Sequence, residues 1–190
     1  MTRKVLILTG DGGDSFETLY AYQRFLEDRW EPVIAAPARR KLNLLLHDRE
    51  PGWSTYVERP GLGLDADVAI TAVAAKEFAV LMIPGGRAPE YLRNDPSVLS
   101  LLREFAKQEK CICAIGHGVQ LLTAAGLTNG RTLTCHEHVQ IEVERGGGHY
   151  VYKPAVRDGN LITAQTWRSH PDFYREVFAF LEERVRAAGS

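Results

Sequence analysis

The stretch CAIGHGVQLL, residues 113–122, has the outline of a reactive turn without its reactive side chain. An apolar run ends in Gly-His-Gly, and an apolar pattern with helical spacing follows. A strand that turns abruptly into a helix presents one side chain at its apex, beside backbone NH groups that favour negative charge. A cysteine there would be an activated nucleophile, because a helix N-terminus and a nearby imidazole both lower a thiol pKa. Here the apex is Gly116, which tolerates unusual backbone angles and supplies no nucleophile. His117, next in the chain, is a residue type that either fixes structure by hydrogen bonding or carries protons.

Other groups offer chemistry at a distance. Glu17 falls at the start of a helical pattern, where a carboxylate either serves the helix dipole and the free NH groups or works as an acid or base in a strand-end cleft. In His136-Glu137-His138 the H-x-H spacing on a strand would turn both rings to one side, a metal half-site that lacks further ligands, so no metal is expected. Cys113 lies three residues before the apex, roughly 10 Å away at about 3.3 Å per strand residue, and is expected in the core. Cys135, beside His136, is the better placed of the thiols, yet with Cys111 the three form no metal or disulfide pattern.

The elements that must position these groups recur in a regular order. Short apolar runs rich in β-branched residues, VLILT (5–9), EPVIAAP (31–37), AVLMIPGG (79–86) and CICAIG (111–116), are each followed by turn residues, and most of them then by helical spacing. RTLTC (131–135) reads as a further strand, and residues 149–164 as a hairpin turning at Asp158-Gly159. SVLSLLREFAKQEK is an amphipathic helix, VQLLTAAG a helix stopped by Gly126, and DFYREVFAFLEERVRAA a closing helix. This alternation predicts a layered α/β sandwich around a mostly parallel sheet. Residues 39–66, polar, aromatic and punctuated by Gly and Pro, read as an irregular or hairpin insertion. Ligands of such folds collect at the carboxyl ends of strands, which selects residues 10–17, 84–90 and 116–120. Gly12-Gly13 and Gly85-Gly86 match no phosphate-binding motif and read as tight turns.

Bulk properties narrow the partners. With 23 Lys plus Arg against 24 Asp plus Glu, the net charge of -1 gives no field for nucleic acid or an anionic membrane. The opening MTRKVLILTG has an apolar run too short for a signal peptide or a membrane span, so a cytoplasmic protein is expected.

The segments VLILTGDGGDSFET, MIPGGRAPE, AIGHGVQLLTAAG, GGGHY and RDGNLITA resemble the ThiJ/PfpI superfamily, in order and over nearly the whole chain. The resemblance implies a single domain over residues 1–190 with a three-layer α/β/α, flavodoxin-like, glutamine amidotransferase-like fold and a nucleophile-elbow turn. The family's usual elbow reads A-I-C-H-G; this one reads Ala114-Ile115-Gly116-His117-Gly118. By the same resemblance Glu17 is the acidic partner of the nucleophile, His117 the histidine after it, and the NH groups of Gly86 and His117 contribute to an oxyanion site. Gly85 and Gly118 flank that site, His136 matches a pocket histidine, and Glu90 matches a carboxylate that reaches a histidine across a subunit contact. A homodimer or higher homo-oligomer is therefore expected. ITAQTWRSHPDF is similar to the branch containing plant glyoxalases.

The family resemblance implies cofactor-independent glyoxalase or deglycase chemistry on small reactive carbonyls such as methylglyoxal, but Gly116 forbids the covalent step at the usual place. The chain is then an inactivated variant or a cysteine-less relative. One alternative keeps Glu17 and His117 for non-covalent hydratase, lyase or isomerase chemistry. The other is a non-catalytic ligand-binding or regulatory protein.

Overall fold

In the computed structural model, which describes residues 2–189, the strand-helix alternation resolves into a sheet packed on both faces. The chain runs β1 (Lys4–Leu8), α1 (Ser15–Glu27), β2 (Glu31–Ala36), β3 (Lys41–Asp48), β4 (Val57–Asp65), β5 (Val68–Ala69), β6 (Val80–Ile83), α2 (Ala88–Leu92) and α3 (Pro96–Lys107). It continues through β7 (Cys111–Ile115), α4 (Val119–Ala124), β8 (Thr132–Leu133), α5 (Gln140–Arg145), β9 (His149–Tyr150), β10 (Ala155–Asp158), β11 (Leu161–Ala164) and α6 (His170–Gly189). The main sheet has the order β10-β11-β7-β6-β1-β2-β5, parallel except for the edge strand β10.

The two-residue period of a strand explains the layers. Leu6 and Leu8 of β1, Leu81 and Ile83 of β6 and Ile112 and Ala114 of β7 face one core, which Val98, Leu102 and Phe105 of α3 and Leu121 and Leu122 of α4 complete. Their neighbours Val5, Ile7, Val80, Met82 and Cys113 face the other, against Phe25 of α1 and Phe173 and Val177 of α6. A strand buried on both faces must be apolar throughout, as β6 and β7 are. In α3, Val98, Leu101, Leu102 and Phe105 supply a buried stripe at helical spacing, and Asp95 caps the helix by accepting from Ser97 N at 2.8 Å.

The strand order reverses between β1 and β6, because the chain leaves β1 toward β2 and then returns to the other side of β1. The loops after β1, β6 and β7 therefore meet in one crevice, where parallel α/β sheets hold ligands. Gly13 and Gly86 form an isolated bridge across it, and Asp14 N donates to Gly85 O at 3.2 Å.

The structure decides one open reading and changes others. The insertion at residues 39–66 is a long antiparallel hairpin, β3 with β4, docked on the loop after β1 through Gly12 N to Asn43 O at 2.8 Å and Leu45 N to Gly13 O at 2.9 Å. RTLTC is a strand only at Thr132–Leu133, which pairs with β9 in a separate ribbon. Side chains displace the ladder there: Thr134 N donates to Thr163 Oγ1 and Thr134 Oγ1 to Lys153 O, both at 2.9 Å. The hairpin expected over 149–164 forms only as β10 and β11, with Asp158 paired to Leu161 and Gly159-Asn160, one residue past the expected Asp158-Gly159, as its loop, while His149–Tyr150 is the separate strand β9. No helix among the described residues is long and apolar enough to cross a membrane.

Candidate functional site

The crevice holds a pocket of about 600 Å³, floored by Glu17, Gly116 and His117 and walled by Tyr56, His136 and Trp167. Glu17 is brought there by a division of labour on α1. Asp14 caps the helix, its Oδ1 accepting from Glu17 N at 2.8 Å, so the Glu17 side chain is released from the capping role and turns inward. It is 4% exposed, and its Oε2 accepts from Gly85 N at 2.6 Å. Burial and then the Asp14 charge raise its pKa well above the usual carboxylate range, against the pull of the Gly85 and Trp167 backbone NH groups. The side chain therefore favours its neutral, proton-bearing form.

After β7 the chain turns at Gly116 with φ +56°, a left-handed conformation. A Cβ built there would meet only Gln165 O at 3.4 Å and Glu17 Oε1 at 3.8 Å, both ordinary contacts. Gly85, Gly86 and Gly118 beside it are closed to a side chain. At Gly86 a Cβ would stand 2.4 Å from Asp14 N, at Gly118 2.5 Å from Ile83 O, and at Gly85 2.9 Å from Glu17 Oε2. Of these four glycines Gly116 is the one at which the fold leaves room for a side chain, and that room faces Glu17.

His117 and His136 stack with ring centroids 5.2 Å apart and planes at 21°. Burial, with His47 next, lowers the His117 pKa to about 4; burial, with His117 next, lowers that of His136 to about 3. Both rings are neutral near pH 7. Tyr56 lies 4.9 Å from the His136 ring, and burial, with the Glu17 charge next, pushes its phenol up to about 12. The pocket thus presents neutral groups able to exchange protons with a bound molecule.

The structure brings Glu17, Gly85, Gly86, Gly116, His117 and His136 into one pocket. Gly118 lies behind it, against Ile83. The Gly85 NH is engaged by Glu17. Glu90 stands at the rim, half exposed, with Arg87 at 3.5 Å. The H-x-H geometry fails, because His136 caps the turn Glu137–Val139 instead of continuing a strand, and its Nδ1 accepts from His138 N at 3.2 Å. No group of three or more His, Cys, Asp or Glu able to hold a metal occurs among the described residues. Cys113 is core as expected, with Sγ 3.5 Å from that of Cys111. Cys135 is buried as well, and burial pushes its thiol up to about 12, so neither is a substitute nucleophile.

Sequence reasoning missed the hairpin's contribution. His47, Tyr56 and Glu58 line the pocket from β3, the connecting loop and β4, and Trp53 stands at its mouth, 61% exposed. Asp14 lay inside the selected segment 10–17 but was not singled out as a member of the site. The aromatic content of residues 39–66 was the available signal.

Comparison with known proteins adds a family context to this geometry. The sequence profile of the DJ-1/PfpI family matches residues 3–179. The chain is 32% identical over 190 residues to the Arabidopsis thaliana protein DJ-1 homolog D, covering 96% of this chain but 49% of that one, about half its length. It is 30% identical over 183 residues to a deglycase of Pyrococcus horikoshii, covering 96% of this chain and 98% of that one. Among solved structures, Schizosaccharomyces pombe DJ-1 superposes with a TM-score of 0.75 at 25% identity, over 93% of this chain and 90% of the other.

Proposed function

Because the chain belongs to the DJ-1/PfpI family, we propose that its pocket binds small reactive carbonyl compounds and converts them by acid-base chemistry through Glu17 and His117, without a covalent bond to residue 116. The observation that carries this reading is the room above Gly116, which opens toward Glu17 Oε1 at 3.8 Å from a Cβ position. A water or a substrate carbon fits where a thiol would otherwise stand.

With methylglyoxal as substrate the steps balance. Water adds to the aldehyde carbon as Glu17 gives its proton to the carbonyl oxygen and His117 takes one from the water. The Glu17 carboxylate then removes the hydrogen on that carbon as a proton, while His117 returns its proton to the ketone oxygen, leaving an ene-triol. Glu17 delivers its proton to the second carbon, and the hydroxyl proton released as the carboxyl group forms restores it. The product is lactic acid, and both side chains end as they began. A buried acid of raised pKa beside a neutral imidazole suits this exchange. Burial keeps bulk water from short-circuiting the transfer.

Family relatives named as deglycases support a carbonyl-directed pocket, and the missing nucleophile supports the non-covalent route. Lactate formation from methylglyoxal tests it. The protein should produce lactate above a no-protein control, and Glu17→Gln should lose about 100-fold or more in kcat while methylglyoxal binding, followed by calorimetry, persists. Binding without lactate in the unaltered protein would replace this reading with a non-catalytic one; unchanged turnover in Glu17→Gln would remove Glu17 as the proton carrier.

A further inference from the structure

The hairpin β3-β4 does more than wall the pocket. Its residue His47 is 9% exposed and points Nδ1 at Asp14 Oδ2, 2.9 Å away. The same Asp14 carboxylate accepts from Glu17 N through Oδ1. Asp14 is itself buried at 4% side-chain exposure, so its charge is poorly screened and lies beside Glu17 on the first turn of α1. The second ring nitrogen of His47, Nε2, is buried with no hydrogen-bond partner among the described residues, and Glu58 Oε1 on β4 stands 3.5 Å from it. Glu58 is tied in turn to Arg87 at 3.5 Å, at the start of α2. An imidazole between two carboxylates, one of them shared with a catalytic residue's backbone, is an arrangement that transmits charge.

We propose that His47 is a positioning residue that governs the proton on Glu17, acting through Asp14. When the ring is an imidazolium it offsets the Asp14 charge, and Glu17 releases its proton more readily; when the ring is neutral, Asp14 acts on Glu17 in full and the proton is held. The remaining groups facing the pair are fixed in sign. Tyr56 (ring centroid 5.9 Å from that of His47), His117, and His170, which also feels the Asp14 charge, are neutral near pH 7, and the Arg87 guanidinium stands behind Glu58. Around Glu17 itself stand Asp14, the neutral phenols Tyr56 and Tyr174, and the Gly85 and Trp167 NH groups. The hairpin therefore couples its own docking, and any ligand that alters Glu58 or Arg87 at the rim, to the acid state of the pocket floor.

The role of His47 rests on that given to Glu17 under the proposed function, but its test reads the carboxyl directly and needs no turnover. The infrared C=O band of protonated Glu17 is the band lost in Glu17→Gln; its titration midpoint is measured in the intact protein and in variants. His47→Asn keeps an NH donor for Asp14 at nearly the Nδ1 position but cannot charge, and should raise the midpoint by about one pH unit. Glu58→Gln, a substitution at a partly exposed side chain, should raise it less, and Asp14→Asn should lower it. A purely structural His47 would leave the midpoint unmoved in a folded His47→Asn protein, and that result overturns the proposal. If His47→Asn does not fold, an unmoved midpoint in Glu58→Gln overturns it instead.

Discussion

Restoring a side chain at Gly116 probes how the crevice is built. The structure sets two opposing quantities. A Cβ there finds Gln165 O at 3.4 Å and Glu17 Oε1 at 3.8 Å, so no steric penalty applies. The backbone sits at φ +56°, where a non-glycine residue costs about 1–2 kcal/mol. Gly116→Ala and Gly116→Cys should each fold and lower Tm by about 2–8 °C, since 1 kcal/mol moves a domain of this size by about 2–4 °C. Gly86→Ala is the control with the opposite expected outcome. Its Cβ would stand 2.4 Å from Asp14 N and 2.7 Å from Gly12 O, backbone atoms of a bridged loop that cannot step aside, and the native state should be lost. Calorimetry gives the stabilities, and alkylation with iodoacetamide followed by mass spectrometry reports the new thiol. The unaltered protein should resist, because Cys111, Cys113 and Cys135 are all buried, whereas Gly116→Cys should take a single adduct. Aggregation of Gly116→Ala, or a Gly116→Cys thiol as inert as the other three, would refute the account of an open apex facing the pocket.

Acid should unfold the protein through its buried histidines. His117 and His170 have pKa values lowered to about 4 and His136 to about 3, each mainly by burial. The unfolded chain takes up these protons near pH 6.5 and the folded one does not, so stability is lost as pH falls from about 6.5 toward 4. Glu17, whose pKa is raised, works in the opposite direction and gains stability on acidification. His170 stacks on Tyr20 at 4.4 Å with neither ring nitrogen hydrogen-bonded among the described residues, so His170→Phe should shrink the loss between pH 7 and pH 5 by about 2 kcal/mol, read from Tm against pH; an unchanged slope would refute its buried neutral state. Homo-oligomerisation predicts a sedimentation coefficient above that of the 21.2 kDa chain at micromolar concentration. A monomer alone would rule out a role for Glu90 across subunits.

The layers of the fold were legible because burial on both faces leaves a mark in composition. β6 and β7 are apolar without interruption, and α3 repeats its buried residues at helical spacing. Glu17 and the apex at Gly116 were legible because both follow directly from strand ends, where local turn chemistry and ligand position coincide. His47 was not legible, and the hairpin shows why. In β3 the buried residues are Leu42, Leu44 and His47, so the phase of alternation slips by one residue along the strand. The slip falls at Leu45 and Leu46, just past a bulge in which Leu44 alone faces two residues of β4 between the Asn43–Gly63 and Leu45–Pro60 pairs, and an even-odd count along β3 cannot anticipate it. Strict alternation would have turned His47 to solvent, opposite to Leu42 and Leu44. In the structure it faces Asp14 instead, and so gives the hairpin a hydrogen-bonded contact with the cap of α1 and, beyond it, with Glu17. The face of β3 that His47 takes thus decides whether the insertion is a cover over the pocket or a working part of it.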